Sequence, residues 1–387
     1  MKKGDDKVQY RKFGKLDFEV SALGFGCMRL PIIDGDTAKI DEAEATRMVR
    51  HAIVHGVNYV DTAYGYHGGK SESFVGRALQ DGYRERVKLA TKCPVWLAET
   101  HEDFDKLLNE QLERLQVDYV DMYLLHALNA KSWQAAYDLN VLDFVRRALA
   151  DGRIKHAGFS FHDELPVFKE IVDAFDWDFC QIQLNYMDEE YQAGLEGLRY
   201  AASKGLAVVI MEPLRGGRLT NNVPEEVQAI WEQAPIKRTP AEWALRWVLN
   251  QPEVTVVLSG MSMMDHVVEN LRVAADAGAN TLTEQELAII DQAKEFYLNR
   301  TKVKCTGCDY CMPCPAGVAI PRLFSMYNEA SIYNLNPENV AKNYGRMIEE
   351  KMGADLCVEC GQCEAACPQN ITIRQHLKDL HAALQRP

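Results

Sequence analysis

Two short runs near the C-terminus contain eight of the eleven cysteines in this chain. Each run has four cysteines followed by a proline, and the second run has the spacing C-x2-C-x2-C-x3-C-P. With this spacing, one loop gives three thiolates to one 4Fe-4S cluster and its fourth thiolate to a neighbouring cluster. The first run is one residue tighter, C-x2-C-x2-C-x2-C-P. Two such runs therefore predict two clusters.

The crossed pattern divides these cysteines into two sets of ligands. One set is Cys305, Cys308, Cys311 and Cys367, and the other is Cys357, Cys360, Cys363 and Cys314. Zinc is an alternative, but structural zinc sites usually take paired C-x2-C halves rather than runs of four. Disulfides need an oxidising compartment, and the N-terminal sequence MKKGDDKVQY has no apolar segment for export. We therefore expect iron-sulfur clusters in a cytoplasmic protein.

The composition limits the classes of partner. The chain has 387 residues, enough for one large domain and a small one, and a formal net charge of -13. This acidity disfavours binding to a phosphate backbone, so nucleic acid is not expected as a partner. An acidic surface could face a basic redox protein, although many soluble proteins are acidic. No apolar stretch is long enough to span a bilayer, and no membrane association is expected.

Short apolar runs alternate with helical patterns through the first two thirds of the chain. Eight runs predict strands, at 20–26, 58–63, 87–92, 119–126, 154–160, 179–185, 207–213 and 254–260. Between them, apolar residues recur at the spacing of a helix with one buried face, as at Phe104, Leu107 and Leu108. This alternation predicts an α/β fold, a (β/α)8 TIM barrel. A doubly wound sheet is the alternative, but no G-x-G-x-x-G opens a helix after the first strand.

The chain after the barrel predicts a small, mainly helical ferredoxin-like domain. We expect the barrel over 1–280, a linker helix over 281–300 and the cluster domain over 301–387. The sequence Thr283-Glu284-Gln285-Glu286 has the form of a capping box at the start of the linker helix. Two segments between the cysteine runs and the tail over 371–385 also have helical patterns.

Polar residues lie where the predicted strands end, which is where TIM barrels place their chemistry. These residues are Asp61 with Tyr66, Lys92, His126, Ser160 with His162, Gln181 and Glu212. Any one of these residues alone would mean little, but four of them together form a proton-transfer set.

Five segments of the barrel sequence point to one protein family. They are YRKFGKLDFEVSALGFGCMRLP, DTAYGY, LATK, YLLHAL and GFS. Their type and order over about residues 8–275 resemble the aldo-keto reductases. The C-terminal runs are similar to those of the iron-sulfur-bearing branch of that family. The resemblance implies a carbonyl reductase that uses a nicotinamide cofactor, has no metal in the barrel and acts on a small carbonyl or hydroxyl compound.

The resemblance also implies that the proton-transfer set consists of Asp61, Tyr66, Lys92 and His126, and it implies a role for each of them. Tyr66 would be the general acid that gives a proton to the substrate oxygen when hydride reaches the carbonyl carbon. We expect the Lys92 ammonium to lower the pKa of Tyr66, and Asp61 to hold Lys92 charged and in place. His126 would orient the carbonyl and share the developing charge.

Other residues could compete for these roles or line the pocket. Tyr64 is an alternative to Tyr66, although the family spacing selects Tyr66. His67 and His162 could compete with His126, and we treat both as candidates for the substrate pocket. The remaining candidates for its lining are Trp96, Phe161 and Tyr186.

Positions for the nicotinamide cofactor follow from the same resemblance. The implied positions are Gly26, Cys27, Met28, Arg29 and Asp61 near the nicotinamide and its ribose, Ser160 and Gln181 at the carboxamide, Met211 at the stacking position, Leu214 at the start of the loop over the pyrophosphate, and Gly260, Ser262, His266 and Asn270 at the adenosine. Phe161 stands where the family has an asparagine, and Met211 replaces an aromatic ring. The Lys and Arg that many members use for a 2′-phosphate are absent, so NADP and NAD both remain open.

Electron counting separates the two halves of the chain. A nicotinamide gives two electrons as a hydride, each cluster normally carries one, and the sequence shows no convincing flavin site to split the pair. The leading hypothesis is a reductase with working barrel chemistry, whose clusters link it to an external electron carrier or partner protein. The alternatives are an electron-transfer protein that uses the barrel as a docking or regulatory scaffold, and a reductase with purely structural clusters. The intact proton-transfer set favours catalysis.

Overall fold

The computed structural model describes residues 8–333 and 335–385 and divides into two compact units. The first unit contains the chain up to Leu214 together with Ala241–Leu282. The second unit contains Arg215–Pro240 together with the chain from Thr283 onwards. This division differs from the expected single boundary near residue 280, because a segment from within the barrel sequence belongs to the second unit.

A closed barrel of eight parallel strands forms the first unit among the described residues. A hairpin of β1 (Tyr10–Lys12) and β2 (Glu19–Ser21) precedes the barrel strands β3 (Leu23–Gly26), β4 (Tyr59–Asp61), β5 (Lys88–Cys93), β6 (Val120–Leu128), β7 (Ile154–Phe161), β8 (Phe179–Gln183), β9 (Ala207–Met211) and β10 (Val254–Ser259). Each barrel strand pairs with the next one, and β10 pairs with β3. The predicted TIM barrel is confirmed, and each predicted strand overlaps an observed one.

Helices follow the strands and continue through the second unit. In chain order they are α1 (Glu42–Val54), α2 (Tyr66–Gly69), α3 (Ser71–Ala78), α4 (His101–Leu115), α5 (Ala130–Asp138), α6 (Val141–Asp151), α7 (Leu165–Ala174), α8 (Gly194–Ser203), α9 (Glu225–Trp231), α10 (Pro240–Leu249), α11 (Met264–Asp276), α12 (Glu284–Arg300), α13 (Ile320–Ile332), α14 (Pro337–Glu349), α15 (Gln362–Ala366) and α16 (Ile373–Leu384). In α4 the apolar face predicted from the sequence is buried, and Thr100 and Asp103 form a capping box at its start. None of the described helices is both long and apolar enough to cross a membrane.

The hairpin closes the N-terminal end of the barrel. Phe13, between β1 and β2, is fully buried, and its ring centroid lies 6.3 Å from that of Tyr59 and 5.6 Å from that of Phe179. Tyr59 and Phe179 are the first residues of β4 and β8. Because this end is filled by side chains, the opposite end is the one available for chemistry, as the barrel rule predicts.

The second unit is helical, as expected, and has its own apolar core. Residues of α13 and α16, among them Ile320, Phe324 and Leu377, pack together with the chain around the cysteines. The helix α12 begins at the predicted capping box, where Thr283 and Glu286 bond to each other's backbone N–H groups. It packs against α9, which comes from the segment between β9 and α10.

Candidate functional site

A buried lysine links the members of the proton-transfer set. Lys92, in β5, is fully buried, and its Nζ donates to both carboxylate oxygens of Asp61 at 2.7 and 2.8 Å. The same ammonium donates to the Thr62 carbonyl at 2.7 Å and to Tyr66 Oη at 3.4 Å. Asp61 ends β4, and Tyr66 begins α2 just beyond it. The three side chains therefore meet at the C-terminal end of the barrel in the order expected.

Burial dominates the electrostatics of this group. The pKa of Tyr66 is raised well above its ordinary value, first by burial and then by the negative charge of Asp61. Repulsion from Cys27 and Glu212 adds to this shift, whereas Arg29 opposes it. The net shift in the pKa of Tyr66 is therefore opposite to the lowering expected from Lys92, whose ammonium lies closer to the Asp61 carboxylate than to the phenol. Burial also raises the pKa of Asp61, although Lys92 opposes that shift.

His126, in β6, completes the set as a neutral ring. Its pKa lies well below the ordinary value because it is buried and because Lys92 and His162 disfavour a second positive charge nearby. The His126 ring meets the Tyr66 ring edge-on at 6.1 Å between centroids, and the Trp96 ring lies 5.1 Å away. A neutral imidazole beside the phenol can donate one hydrogen bond to a substrate oxygen at neutral pH.

The competing tyrosine has a different environment. The Tyr64 hydroxyl donates to Glu110 at 3.1 Å, and the Arg114 guanidinium lies 4.0 Å from the centroid of its ring. Tyr64 is therefore held by a pair of charged side chains of α4, whereas Tyr66 meets Lys92 and His126.

The two competing histidines also differ in their surroundings. The backbone N–H of Leu30 donates to His67 Nε2 at 3.2 Å, and His67 Nδ1 lies 2.7 Å from the Thr37 carbonyl. His67 thus ties together the loop that follows β3, which is a structural role. His162 is buried beside Gln192, with ring Nδ1 3.3 Å from Gln192 Oε1, and burial lowers the pKa of its ring to about 4.

Of the remaining residues expected to line the pocket, one is accessible. Trp96 is 51% exposed and lies against His126. Phe161 and Tyr186 are both fully buried, and Phe161 packs edge-on against Phe168 of α7 at 5.1 Å. Phe161 and Tyr186 are therefore part of the core. The sequence did not reveal this because aromatic residues near strand ends can either pack in the core or line a pocket.

The residues expected at the carboxamide lie on neighbouring strands. Gln181, in β8, is buried, and its Nε2 lies 3.6 Å from the Met211 sulfur at the end of β9. Its Oε1 is buried without a hydrogen-bond partner among the described residues. A buried amide oxygen without a partner costs about 1–3 kcal/mol, so it fits a site that a donor group of a ligand completes. Ser160 Oγ accepts a hydrogen bond from the backbone N–H of Ala127 at 2.7 Å.

The other expected cofactor residues surround the ends of β3 and β10. Cys27, Met28 and Arg29 form a short 3-10 turn after Gly26, and a Cβ placed on Gly260 would lie 3.1 Å from Arg29 Cβ. Glycine at 260 therefore allows these two strand ends to approach closely. The remaining positions follow β9 and β10: Leu214 is half-buried, Ser262 is exposed and His266 is half-buried on α11. Asn270 is buried and donates to Ser259 Oγ at 3.0 Å.

The eight cysteines of the two runs line two cavities within the second unit. The first cavity is lined by Cys305, Cys308, Cys311 and Cys367. The second is lined by Cys314, Cys357, Cys360 and Cys363. Each cavity thus takes three cysteines from one run and one from the other, the same grouping as in the crossed assignment. Ile320 lines both cavities and is almost fully buried.

The lining of each cavity suits an iron-sulfur cluster. No three His, Cys, Asp or Glu side chains in the described parts of the chain are placed to hold one metal ion. A structural zinc ion would need four sulfurs about 2.3 Å from a single point. Thiols arranged around a cavity instead suit a cluster, in which each iron binds its own cysteine. Much of the remaining lining is apolar, with Ile320 and Phe324 in the first cavity and Val318 and Leu377 in the second.

Comparison with known proteins agrees with both parts of this description. The aldo/keto reductase family model matches residues 22–295, and a 4Fe-4S dicluster domain model matches residues 304–372. These matches define a barrel oxidoreductase with an iron-sulfur domain, and they favour iron-sulfur over the zinc and disulfide alternatives. Because the first match covers more than half of the chain, the protein belongs to the aldo-keto reductase family.

Individual relatives cover the barrel portion. L-galactose dehydrogenase from Arabidopsis thaliana is 28% identical over 76% of this chain and 97% of its own length. NADH-specific methylglyoxal reductase from Escherichia coli (strain K12) is 25% identical over 71% of this chain and 98% of its own. Among solved structures, an aldo-keto reductase from Bacillus halodurans in its holo form is 28% identical with a TM-score of 0.60, covering 74% of this chain and 96% of that one. An aldo-keto reductase from Klebsiella pneumoniae in complex with NADPH is 26% identical with a TM-score of 0.58, covering 74% of this chain and 94% of that one.

Proposed function

We propose that the barrel transfers hydride between a nicotinamide cofactor and a small carbonyl or hydroxyl compound, with Tyr66 as general acid. The observation that carries this proposal is the Lys92 ammonium, which contacts the Asp61 carboxylate and Tyr66 Oη together. An ammonium placed this way holds the phenol at a fixed point above the barrel. The raised pKa of Tyr66 keeps its proton in place until a substrate oxygen accepts it.

Each residue of the set has a separate task in the reduction. Bound nicotinamide would supply the hydride. Tyr66 gives its proton to the substrate oxygen, and Lys92 stabilises the negative charge that the phenol oxygen then carries. Asp61 keeps Lys92 charged inside the barrel, and neutral His126 donates a hydrogen bond that orients the carbonyl. Trp96 covers His126 and forms an apolar wall for the substrate.

We propose that the barrel prefers NADH to NADPH. The segment from Gly260 to Leu271 contains no Lys or Arg, and Asp265 lies exposed in the first turn of α11. Arg272 follows, but it pairs with Glu242 at 2.5 Å. A carboxylate at the adenosine end repels a 2′-phosphate and can accept a hydrogen bond from a free 2′-hydroxyl. The relatives include both an NADH-specific methylglyoxal reductase and a structure with NADPH, so the preference depends on this chain's own residues.

We propose that the two cysteine cavities hold two 4Fe-4S clusters that exchange electrons with a separate redox partner protein. The support is the four-and-four grouping of the cysteines and the match to a dicluster domain. Because a hydride moves two electrons together and each cluster accepts one at a time, we propose that the barrel chemistry proceeds without the clusters. In this proposal the clusters therefore serve a second, one-electron task.

An anaerobic titration of the cluster-loaded protein tests both statements. We would add NADH, then NADPH, and then methylglyoxal as a carbonyl probe, and follow nicotinamide absorbance together with cluster absorbance and paramagnetic resonance. The expected result is that NADH binds, the clusters stay oxidised, and nicotinamide is consumed only after the carbonyl is added. Reduction of the clusters by NADH alone would show electronic coupling and contradict the separation. If neither methylglyoxal nor any of a panel of aldehydes and sugars leads to consumption of either cofactor, the result would favour a barrel that serves as a scaffold.

A further inference from the structure

Arg218, which belongs to the barrel part of the sequence, places a positive charge beside the first cysteine cavity. It follows β9 in the chain and lies in Arg215–Pro240, the segment that belongs to the second unit. Its Nη1 donates to Ser325 Oγ on α13 at 3.3 Å. Ser325 Oγ in turn donates to Glu329 at 2.6 Å. The guanidinium therefore reaches the Glu329 carboxylate through a hydroxyl group rather than by a direct ion pair.

The other side of this guanidinium faces the loop between two cysteines of the first cavity. A Cβ placed on Gly307 would lie 3.4 Å from Arg218 Nη2 and 4.0 Å from its Nε. Gly307 stands between Cys305 and Cys308, which both line that cavity. The Arg218 Nε–H is buried and has no hydrogen-bond partner among the described residues. A buried N–H donor with a full positive charge thus lies against the cysteine loop with a hydrogen bond unused.

The arginine at the second cavity, unlike Arg218, is paired directly with a carboxylate. Arg374 lines that cavity, and its Nε and Nη2 lie 2.8 and 2.7 Å from Glu364 Oε2. This direct pair neutralises most of its charge. The first cavity has a carboxylate of its own, Asp309, but that residue is exposed, so water and salt screen its charge. Arg218 therefore has the stronger uncompensated effect on its cavity.

We propose that Arg218 is a tuning residue that raises the reduction potential of the cluster held by Cys305, Cys308, Cys311 and Cys367. The inference rests on the proposed function, because it takes these cysteines as cluster ligands. One-electron reduction adds one negative charge at the site, with no bond made or broken and no proton taken up. A nearby cation and an N–H donor stabilise the more negative form, so they shift the potential upwards. Arg218 does this for one cluster and leaves the other almost unaffected.

The test is a redox titration with dithionite of the full-length, cluster-loaded protein, followed by paramagnetic resonance. Arg218→Gln removes the charge and keeps an amide donor, whereas Arg218→Lys keeps a charge with a different donor geometry. Arg300→Gln is the matched control, because Arg300 belongs to the same unit and two residues that it contacts, Glu226 and Ile332 through its carbonyl, line neither cavity. Cys308→Ser identifies which resonance signal belongs to the first cluster.

For Arg218→Gln we expect the ratio of reduced to oxidised first cluster to fall about tenfold at a fixed potential, equivalent to about 59 mV for one electron. The second cluster should shift no more than it does in Arg300→Gln, and Arg218→Lys should lie between wild type and Arg218→Gln. Unchanged potentials in both Arg218 variants would overturn the inference and leave the cluster proposal standing. If Arg218→Gln fails to load its clusters, Arg218→Lys alone decides, and an unshifted first cluster in that variant overturns the inference. Wild-type protein without cluster signals would overturn the cluster proposal, and the role of Arg218 with it.

Discussion

The buried pair of Lys92 and Asp61 leads to opposite pH dependences for its two single variants. The two side chains are 1% and 4% exposed, and the ammonium contacts both carboxylate oxygens. Removing one partner of such a pair leaves an uncompensated charge inside the protein and costs about 3–5 kcal/mol of unfolding free energy. We expect losses of this size for both Lys92→Met and Asp61→Asn near neutral pH. The double variant should lose less than the sum of the two single variants, because it leaves no unpaired charge.

The direction of the pH dependence follows from which charge is left behind. In Lys92→Met the stranded group is Asp61, whose pKa burial already raises in the intact pair. The folded variant therefore keeps a proton that the unfolded chain has released, and its free energy of unfolding rises as the pH falls towards the range in which the unfolded chain binds that proton too. In Asp61→Asn the stranded ammonium can lose its charge only by losing a proton. The penalty for that variant therefore shrinks as the pH rises.

Urea denaturation followed by tryptophan fluorescence measures these free energies in the intact chain. Five of the six tryptophans, Trp96, Trp133, Trp177, Trp243 and Trp247, lie in the barrel unit, so the signal follows mainly its unfolding. Each variant is compared with wild type at the same pH, which cancels the contribution of other titrating groups. Parallel pH profiles for the two single variants, or losses below about 1 kcal/mol, would refute the view that the pair is a buried and mutually dependent charge pair.

Four further outcomes are expected. Tyr66→Phe should lower kcat for carbonyl reduction by about 10²- to 10⁴-fold in a nicotinamide absorbance assay, whereas Tyr64→Phe should stay near wild type; equal losses would remove Tyr66 from its role. Because the pKa of Tyr66 is raised, kcat/KM for reduction should show no alkaline loss below about pH 10, and a loss near pH 8 would contradict its retained proton. NADH should give the higher kcat/KM, and Asp265→Asn should narrow its advantage over NADPH; an unchanged ratio would place the preference elsewhere. Cys308→Ser and Cys360→Ser should each alter the paramagnetic resonance of a different cluster, and loss of one common signal in both would contradict two sites.

The sequence predicted the barrel well because its signals are local. Each strand is a short apolar run between polar segments, and its burial in a parallel sheet makes that run nearly continuous. The hairpin of β1 and β2 escaped because each of its strands has three residues. The helix α12 was predicted from its capping box, which four adjacent residues encode.

The sequence was less informative where distant segments meet. The spacing of the motif selected Tyr66 over Tyr64, but the direction of its pKa depends on how deeply the phenol and Asp61 are buried. Phe161 was expected to line the substrate pocket, whereas its ring packs on Phe168 of α7. Nothing local in Arg215–Pro240 signals that this segment joins the second unit, since its partners lie far along the chain, as with Glu226 and Arg300, which are 74 residues apart.

The discontinuous second unit imposes an order on protein synthesis. The helix α9 buries Val227 and Trp231, and its partner α12 begins at Glu284, while α16 ends at Leu384. At about 5–20 residues per second, residue 240 leaves the ribosome's catalytic centre between about 7 and 29 s before residue 384 does. During that interval the apolar face of α9 has no completed unit to join. The nascent chain therefore exposes an apolar segment that lies within the barrel sequence. The yield of folded protein in cells will depend on how well chaperones protect that segment until the last helix emerges.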